Sequence, residues 1–225
     1  MTVLTRLAQL PAVHAERLKR ILFVLCLLPL ARWIWLGFND GLGANPVEFI
    51  IRSTGFWALA FLAITLAVTP LRRWLQWPWL LRLRRMLGLY AFFYACLHFA
   101  AYLVLDQFFD LAAIVEDVLK RPYITVGFTS FVLLVPLAIT STDGMIRRLG
   151  GRRWRRLHRL VYAIGVGGVI HFWWLVKADI TQPFLYAIAL GVLLGERVVH
   201  HLRIRVLPSP GTSGSARAAI PLPRD

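Results

Sequence analysis

The sequence predicts an all-α integral membrane protein, a six-transmembrane-helix bundle with both termini in the cytoplasm. Of its 225 residues 58% are apolar, and the mean hydropathy is +0.63. These values and the repeated uncharged runs are typical of membrane proteins and not of soluble domains. We expect a cytoplasmic N-terminal segment at 1–20, one polytopic domain at 21–205 and a flexible cytoplasmic tail at 206–225, which is rich in Pro, Gly and Ser.

The positive charge is concentrated in two of the predicted loops. The formal net charge of +15 could indicate a nucleic-acid partner. However, eleven arginines lie in short segments between spans two and three and between spans four and five: Arg72, Arg73, Arg82, Arg84, Arg85, Arg147, Arg148, Arg152, Arg153, Arg155 and Arg156. By the positive-inside rule these loops and both termini are cytoplasmic, so the sequence predicts a lipid bilayer as partner and no nucleic acid.

The six spans are predicted from apolar runs bounded by capping and proline signals. They are 21–38, 46–69, 86–105, 123–139, 158–176 and 183–199. Asn45, Pro46 and Glu48 form an N-terminal capping pattern for the second span. Pro70 is predicted to end that span, and Pro136 to kink the fourth.

Two histidines lie deep inside uncharged runs. His98 is in the twenty uncharged residues 86–105, and His171 is in the uncharged run 160–176. An ionisable side chain at that depth needs a partner. A buried histidine that only packs and makes hydrogen bonds is the simpler alternative for either residue alone.

The two histidines are predicted to lie at matching depth. His98 is twelve residues beyond Met86 and His171 is thirteen beyond His158. At 1.5 Å per residue both are about 18 to 20 Å from the cytoplasmic end, in the outer half of the membrane. The pattern therefore predicts that His98 and His171 are the axial ligands of one haem, a six-coordinate arrangement suited to electron transfer.

Small residues near the two histidines are consistent with a flat ring between the helices. Gly167 and Gly168 precede His171 on its helical face, and Ala95 and Ala101 flank His98. The sequence has no C-x-x-C-H motif, so the haem is predicted to be b-type.

Two further residues are candidates for cofactor contacts. His158 lies at the cytoplasmic mouth of the fifth span, where a ligand of a second haem, a flavin contact and an interfacial helix cap are equal alternatives. Span three has no histidine opposite it at the inner end. Arg32 is level with the proposed haem, where it could pair with a propionate or extend to the interface.

Other functions remain open from the residues alone. A histidine-containing metal-ion transporter would need carboxylates near the midplane. Apart from Glu48 in the capping pattern of the second span, Glu196 near the end of the sixth span is the single acidic residue inside the predicted spans. A structural assembly subunit would need no matched histidines. A stand-alone ferric reductase would share the haem but need no protein partner.

Five stretches resemble the MsrQ (YedZ) family, which is related to the ferric-reductase-like transmembrane domain. They are GLGANPVEFI, TGFWALAFLAITLAVTPLRR, RRMLGLYAFFYACLHFAAYLVLD, RPYITVGFTSFVLLVPLAITST and LHRLVYAIGVGGVIHFWWLVK. The resemblance covers about residues 15 to 205. Two-haem oxidases related to this family have an inner histidine in span three that this sequence lacks.

The resemblance implies a function in protein repair. It places haem ligands at His98, His158 and His171, and it implies haem b and FMN as cofactors in a bacterial inner membrane. The expected electron donor is a cytoplasmic flavin reductase. The expected acceptor is a periplasmic molybdopterin-containing methionine sulfoxide reductase subunit of the MsrP type.

Overall fold

The structure is a computed structural model that describes residues 12–176 and 178–206. Within these ranges all regular secondary structure is helical, which confirms the all-α class. The first eleven residues of the predicted N-terminal segment, and the predicted tail from residue 207, lie outside the described residues. Residues 12–20 are already helical and lead directly into the first apolar run.

Ten α-helices follow one another in the described part of the chain. They are α1 (Ala12–Leu25), α2 (Leu28–Phe38), α3 (Pro46–Leu75), α4 (Leu81–Ala101), α5 (Leu111–Lys120), α6 (Pro122–Ile139), α7 (Asp143–Leu149), α8 (Gly151–His158), α9 (Leu160–Leu175) and α10 (Thr181–Val206). A 3-10 turn at Pro78–Leu80 precedes α4, and a π-helical turn at Tyr102–Asp106 follows it.

Five helical stretches have the length and composition needed to cross a membrane: Val13–Phe38, Pro46–Leu75, Pro78–Asp106, Pro122–Ile139 and Thr181–Arg203. They correspond to five of the six predicted spans. The remaining one, 158–176, is represented by α9, whose 16 residues reach about 24 Å against a hydrocarbon core of about 30 Å. It is short because the chain turns at Arg159 between α8 and α9. The sixth crossing and the cytoplasmic position of the termini stay predictions.

The start of α3 has the predicted capping pattern. The Asn45 side chain accepts a hydrogen bond from the Glu48 backbone N–H at 3.1 Å and donates one to the Glu48 carboxylate, also at 3.1 Å. Pro46 occupies the first helical position, where its missing N–H costs nothing.

The prediction that Pro70 ends the second span is wrong. Helix α3 continues through Pro70 to Leu75. A proline in a helix leaves the carbonyl four residues earlier without its N–H donor, here that of Leu66. The Arg197 guanidinium of α10 donates to that carbonyl, which satisfies it and allows the helix to continue. Pro136 lies inside α6 as predicted, and the kink expected there stays a prediction.

The core is built from two extensively packed helix pairs, α3 with α4 and α6 with α9. Aromatic rings fill the first pair: Phe61 stacks on the fully buried Tyr94 with ring centroids 5.2 Å apart. The Tyr94 hydroxyl also donates to the Cys26 carbonyl at 2.7 Å, at the break between α1 and α2. This contact fixes the first span against α4.

The two arginine-rich segments meet at one end of the bundle. Arg85 of α4 forms an ion pair with Asp143, the first residue of α7. Helix α8, immediately after α7, exposes Arg152, Arg153, Arg155 and Arg156. The described structure therefore has one strongly basic end, as the alternating charge of the loops predicts.

Candidate functional site

His98 and His171 face each other across the bundle. His98 lies on α4 and His171 on α9, and their ring centroids are 6.1 Å apart with the ring planes at 72°. The structure thus brings together the two histidines that sequence analysis paired at equal depth.

Backbone carbonyls fix the orientation of both rings. His98 Nδ1 lies 3.0 Å from the Ile51 carbonyl oxygen of α3, and His171 Nδ1 lies 2.7 Å from the Tyr123 carbonyl oxygen of α6. Because a carbonyl oxygen only accepts, each Nδ1 carries the hydrogen and each Nε2 keeps a free lone pair. Metal-binding histidines commonly have this second contact, which fixes the tautomer and aims the ligating nitrogen.

A glycine one helical turn after each carbonyl allows the ring to approach the helix. Gly55 follows Ile51 by four residues, and Gly127 follows Tyr123 by four. A Cβ at Gly55 would lie 3.0 Å from His98 Cε1, and one at Gly127 would lie 2.6 Å from His171 Nδ1. Any larger residue would therefore displace the imidazole.

Sequence analysis missed both of these glycines. The predicted small residues lie on the helices that carry the histidines, whereas Gly55 and Gly127 lie on the helices opposite them. The sequence does contain a signal that could have identified them: each glycine lies in the apolar span that comes directly before a span with a histidine.

His98 has one additional polar neighbour. The Thr54 hydroxyl oxygen lies 3.3 Å from His98 Nδ1, and the hydroxyl donates to the Ile50 carbonyl at 2.8 Å. Thr54 is 2% exposed, so this contact is inside the bundle. The Nδ1 hydrogen of His98 is thus shared between two acceptors.

The spacing of the two imidazoles fits a single metal ion between them. A metal–imidazole bond is about 2 Å long, so two opposed rings on one ion have centroids about 6 Å apart. The rings also border a cavity of about 1490 Å³, larger than the roughly 300 to 1,000 Å³ of ordinary ligand pockets. Two free Nε2 atoms beside such a cavity fit a haem with two axial histidines.

The predicted small residues divide into two groups. Ala95 and Gly168 line the cavity, as the prediction of space for a flat ring requires. Gly167 instead faces α6, where a Cβ would meet Ser130. Ala101 is buried and is not among the cavity-lining residues. Neighbouring helix positions are about 100° apart, so Gly167 and Gly168 cannot both face the ring.

Arg32 also lines the cavity, together with two arginines that sequence analysis did not select, Arg52 and Arg121. The guanidinium carbon of Arg32 lies 5.9 Å from the centroid of the Phe49 ring. Arg52 forms an ion pair with Glu48 at 2.6 Å, and Arg121 forms one with Asp117 at 3.1 Å. Arg32 therefore differs from the other two, which are held by a carboxylate one turn earlier.

His158 occupies a different place. It ends α8, its ring stacks on Trp154 with centroids 3.9 Å apart, and its Nδ1 lies 3.1 Å from the Trp154 carbonyl oxygen. Its Nε2 is 3.5 Å from the Ser141 hydroxyl oxygen. His158 does not line the cavity of His98 and His171, so its function as a ligand stays a prediction.

The chain is a membrane protein of the ferric-reductase class. The family "Ferric reductase like transmembrane component" matches residues 54–169, which include His98 and His158 and end two residues before His171.

Relatives of this chain carry the name protein-methionine-sulfoxide reductase heme-binding subunit MsrQ. The protein of Herminiimonas arsenicoxydans is 58% identical over 80% of this chain and 84% of its own length. That of Ralstonia nicotianae is 52% identical, covering 85% and 89%, and that of Azospira oryzae is 50% identical, covering 92% and 90%. The chain belongs to the MsrQ family.

Proposed function

We propose that this protein is the membrane electron-transfer subunit of a methionine sulfoxide reductase system and holds a b-type haem between His98 and His171. The observation that carries the proposal is the pair of facing imidazoles, each with Nδ1 bonded to a carbonyl and Nε2 free. When bound, a haem accepts and donates one electron at a time. The relatives are named heme-binding subunits, which supports haem as the cofactor.

The protein's own residues orient and enclose the cofactor. The carbonyls of Ile51 and Tyr123 hold the rings, and Gly55 and Gly127 allow their approach. His98 and His171 would together hold the haem iron, and a haem held by two histidines would supply electron transfer and not oxygen binding. Arg32, which lines the cavity, is proposed to pair with a haem carboxylate.

The two ends of the bundle are proposed to serve different partners. Electrons would enter at the basic end from a cytoplasmic flavin reductase through FMN, whose phosphate suits exposed guanidinium groups such as those of α8. They would leave at the histidine end to a periplasmic molybdopterin-containing subunit of the MsrP type, which repairs oxidised envelope proteins. This orientation in a bacterial inner membrane follows from the positive-inside rule.

His158 lies near the basic end. We propose it as a contact of a second cofactor there, either FMN or a second haem, and not as a partner of His98 and His171. Its ring already stacks on Trp154 and lies close to Ser141, which gives it a fixed orientation.

Replacing either facing histidine tests the haem assignment. We expect His98→Ala and His171→Ala each to lose the haem absorbance in a dithionite-reduced minus oxidised spectrum of the solubilised protein. His201→Ala, at an exposed position of α10, is the matched control and should keep the full spectrum. A wild-type spectrum in both His98→Ala and His171→Ala would contradict the assignment.

A second experiment separates the proposed subunit from a stand-alone ferric reductase. The haem is reduced with dithionite, the excess is removed, and its reoxidation is followed optically. Reoxidation that requires the MsrP-type subunit and methionine sulfoxide supports the proposal, whereas rapid reoxidation by ferric citrate alone supports the ferric reductase. For a metal-ion transporter the geometry is unfavourable, because no group of three or more His, Cys, Asp or Glu gathers in the described part of the chain.

A further inference from the structure

Helix α5 (Leu111–Lys120) has three distinct faces. It connects the π-helical turn after α4 to α6, at the histidine end of the bundle. Ile114, Asp117 and Val118 form its inner face and line the cavity of the two histidines. The other two faces are exposed.

One exposed face is an apolar strip. Leu111, Val115 and Leu119 are spaced by four residues, so they lie along one side of the helix, and they are 71%, 56% and 78% exposed. Three large aliphatic side chains aligned in this way would be unfavourable in water.

The other exposed face is charged. Glu116 and Lys120 lie next to the apolar strip and form an exposed ion pair at 2.5 Å. The outer surface of α5 therefore changes from apolar to charged around the helix. That pattern is typical of a helix lying in the plane of a membrane interface. Ten residues reach about 15 Å, which is too short to cross a bilayer.

The position of α5 in the chain agrees with this. One apolar stretch of spanning length, Pro78–Asp106, ends just before it, and another, Pro122–Ile139, begins just after it. Between them Phe108 and Phe109 are 79% and 60% exposed and extend the apolar surface at the same end. Both flanking spans therefore place α5 at the boundary of the hydrocarbon.

We propose that Phe108, Phe109 and α5 form a membrane-interface element, with the strip Leu111, Val115 and Leu119 inserted at the boundary between lipid headgroups and acyl chains. The occupant of this surface is lipid and not a protein, because α5 connects two apolar stretches of spanning length, Pro78–Asp106 and Pro122–Ile139, and the exposed strip between them is apolar too. Since the inner face of α5 is a wall of the histidine cavity, lipid also holds that wall in place.

Fluorescent labels at neighbouring positions test the proposal. The full chain with Cys26→Ser and Cys96→Ala is reconstituted in phosphatidylcholine–phosphatidylglycerol nanodiscs, with one new cysteine labelled by the environment-sensitive dye NBD. Val115→Cys and Leu119→Cys probe the apolar strip, and Glu116→Cys and Lys120→Cys are the matched controls one residue away. Size-exclusion profiles and helical circular dichroism show whether each variant is folded.

We expect labels at 115 and 119 to be quenched at least twofold more by doxyl-labelled lipid than by aqueous iodide, with the reverse at 116 and 120. Equal iodide access at all four positions would overturn the proposal. So would protection of 115 and 119 that arises only after a soluble protein partner is added. Should the cysteine-free chain not fold, a benzoylphenylalanine photocrosslinker at the same positions in the native-cysteine chain provides the test. Crosslinks to lipid at 115 and 119 but not at 116 and 120 support the proposal, and their absence overturns it.

Discussion

The two helix pairs, α3 with α4 and α6 with α9, build the same local structure twice. In each pair the second helix carries a histidine, and the first carries a carbonyl acceptor followed four residues later by a glycine. The first set is Ile51, Gly55 and His98, and the second is Tyr123, Gly127 and His171. Each helix pair, which forms one half of the site, thus orients one imidazole by itself. The packing of the two halves brings the ring centroids of His98 and His171 to 6.1 Å from each other.

The two halves differ in how tightly they hold the ring. The carbonyl contact is 2.7 Å for His171 and 3.0 Å for His98, and the space for a Cβ is smaller at Gly127 than at Gly55. The first half has a hydroxyl, that of Thr54, beside the imidazole. The corresponding position of the second half, three residues after its carbonyl, is Val126. The α6–α9 half therefore depends on close fit, and the α3–α4 half on an extra polar contact.

The largest effect is expected for Gly127→Ala. The new Cβ would lie 2.6 Å from His171 Nδ1, so the ring must move and its bond to the Tyr123 carbonyl is lost. Overpacking of this kind costs about 1 to 3 kcal/mol, so we expect haem affinity to fall roughly 5-fold to 150-fold. Haem per polypeptide, measured after purification and after titration with added haem, checks this.

The matched control is Gly191→Ala on α10, where a Cβ would meet nothing within 4 Å. Alanine also has a higher helix propensity than glycine, so this variant should keep its haem and its stability. Loss of haem in Gly191→Ala as well would show a general effect of glycine replacement and not one of the histidine site.

A smaller effect is expected for Gly55→Ala. Its Cβ would lie 3.0 Å from His98 Cε1, a contact that a shift of a few tenths of an ångström relieves. We expect haem affinity to fall only a few-fold, by about 1 kcal/mol or less. If titration showed that Gly55→Ala binds haem more weakly than Gly127→Ala, the α3–α4 half would hold its ring more tightly than the α6–α9 half, the reverse of the inferred order.

The sequence predicted the elements of this site better than the contacts between them. His98 and His171 stand out because each is the single histidine of an uncharged run. Gly55 and Gly127 could not be selected, since their importance depends on which helices pair and at what rotation. The error at Pro70 has the same cause: the group that satisfies the Leu66 carbonyl is Arg197, 131 residues away in sequence. Local patterns predict helices, whereas these contacts depend on tertiary packing.

Thr54 and Val126 occupy corresponding positions in the two halves, so Thr54→Val makes the α3–α4 half like the α6–α9 half at this position. The variant loses the hydroxyl beside His98 Nδ1 but keeps the Ile51 carbonyl as acceptor, so the haem should remain bound. The expected cost is about 1 kcal/mol, the usual net value of one hydrogen bond. Thermal unfolding in detergent and the haem spectrum check the two parts of this prediction, and loss of haem would show that Thr54 is essential for orienting the ring.

The smallest effect is expected at the opposite end, where Arg85 of α4 pairs with Asp143 after α6 and links the two halves. The hydrogen bond from Arg85, with its charge, lowers the pKa of Asp143 below its ordinary value of 3.8. Because the folded-state pKa is the lower one, the stabilisation is present above the ordinary pKa and is lost as pH falls through the folded-state value. Both side chains are exposed, so salt screens the pair.

We therefore expect Asp143→Asn to lower the melting temperature slightly at pH 7 in low salt, and to have no effect in high salt or at a pH below the folded-state pKa of Asp143. Its haem spectrum should match the wild type, since the pair lies at the basic end and not at the cavity. A spectral change in Asp143→Asn would show that the two ends of the bundle are coupled. In that case the arginine-rich end would help to set the distance between His98 and His171, and the two halves would not orient their rings independently.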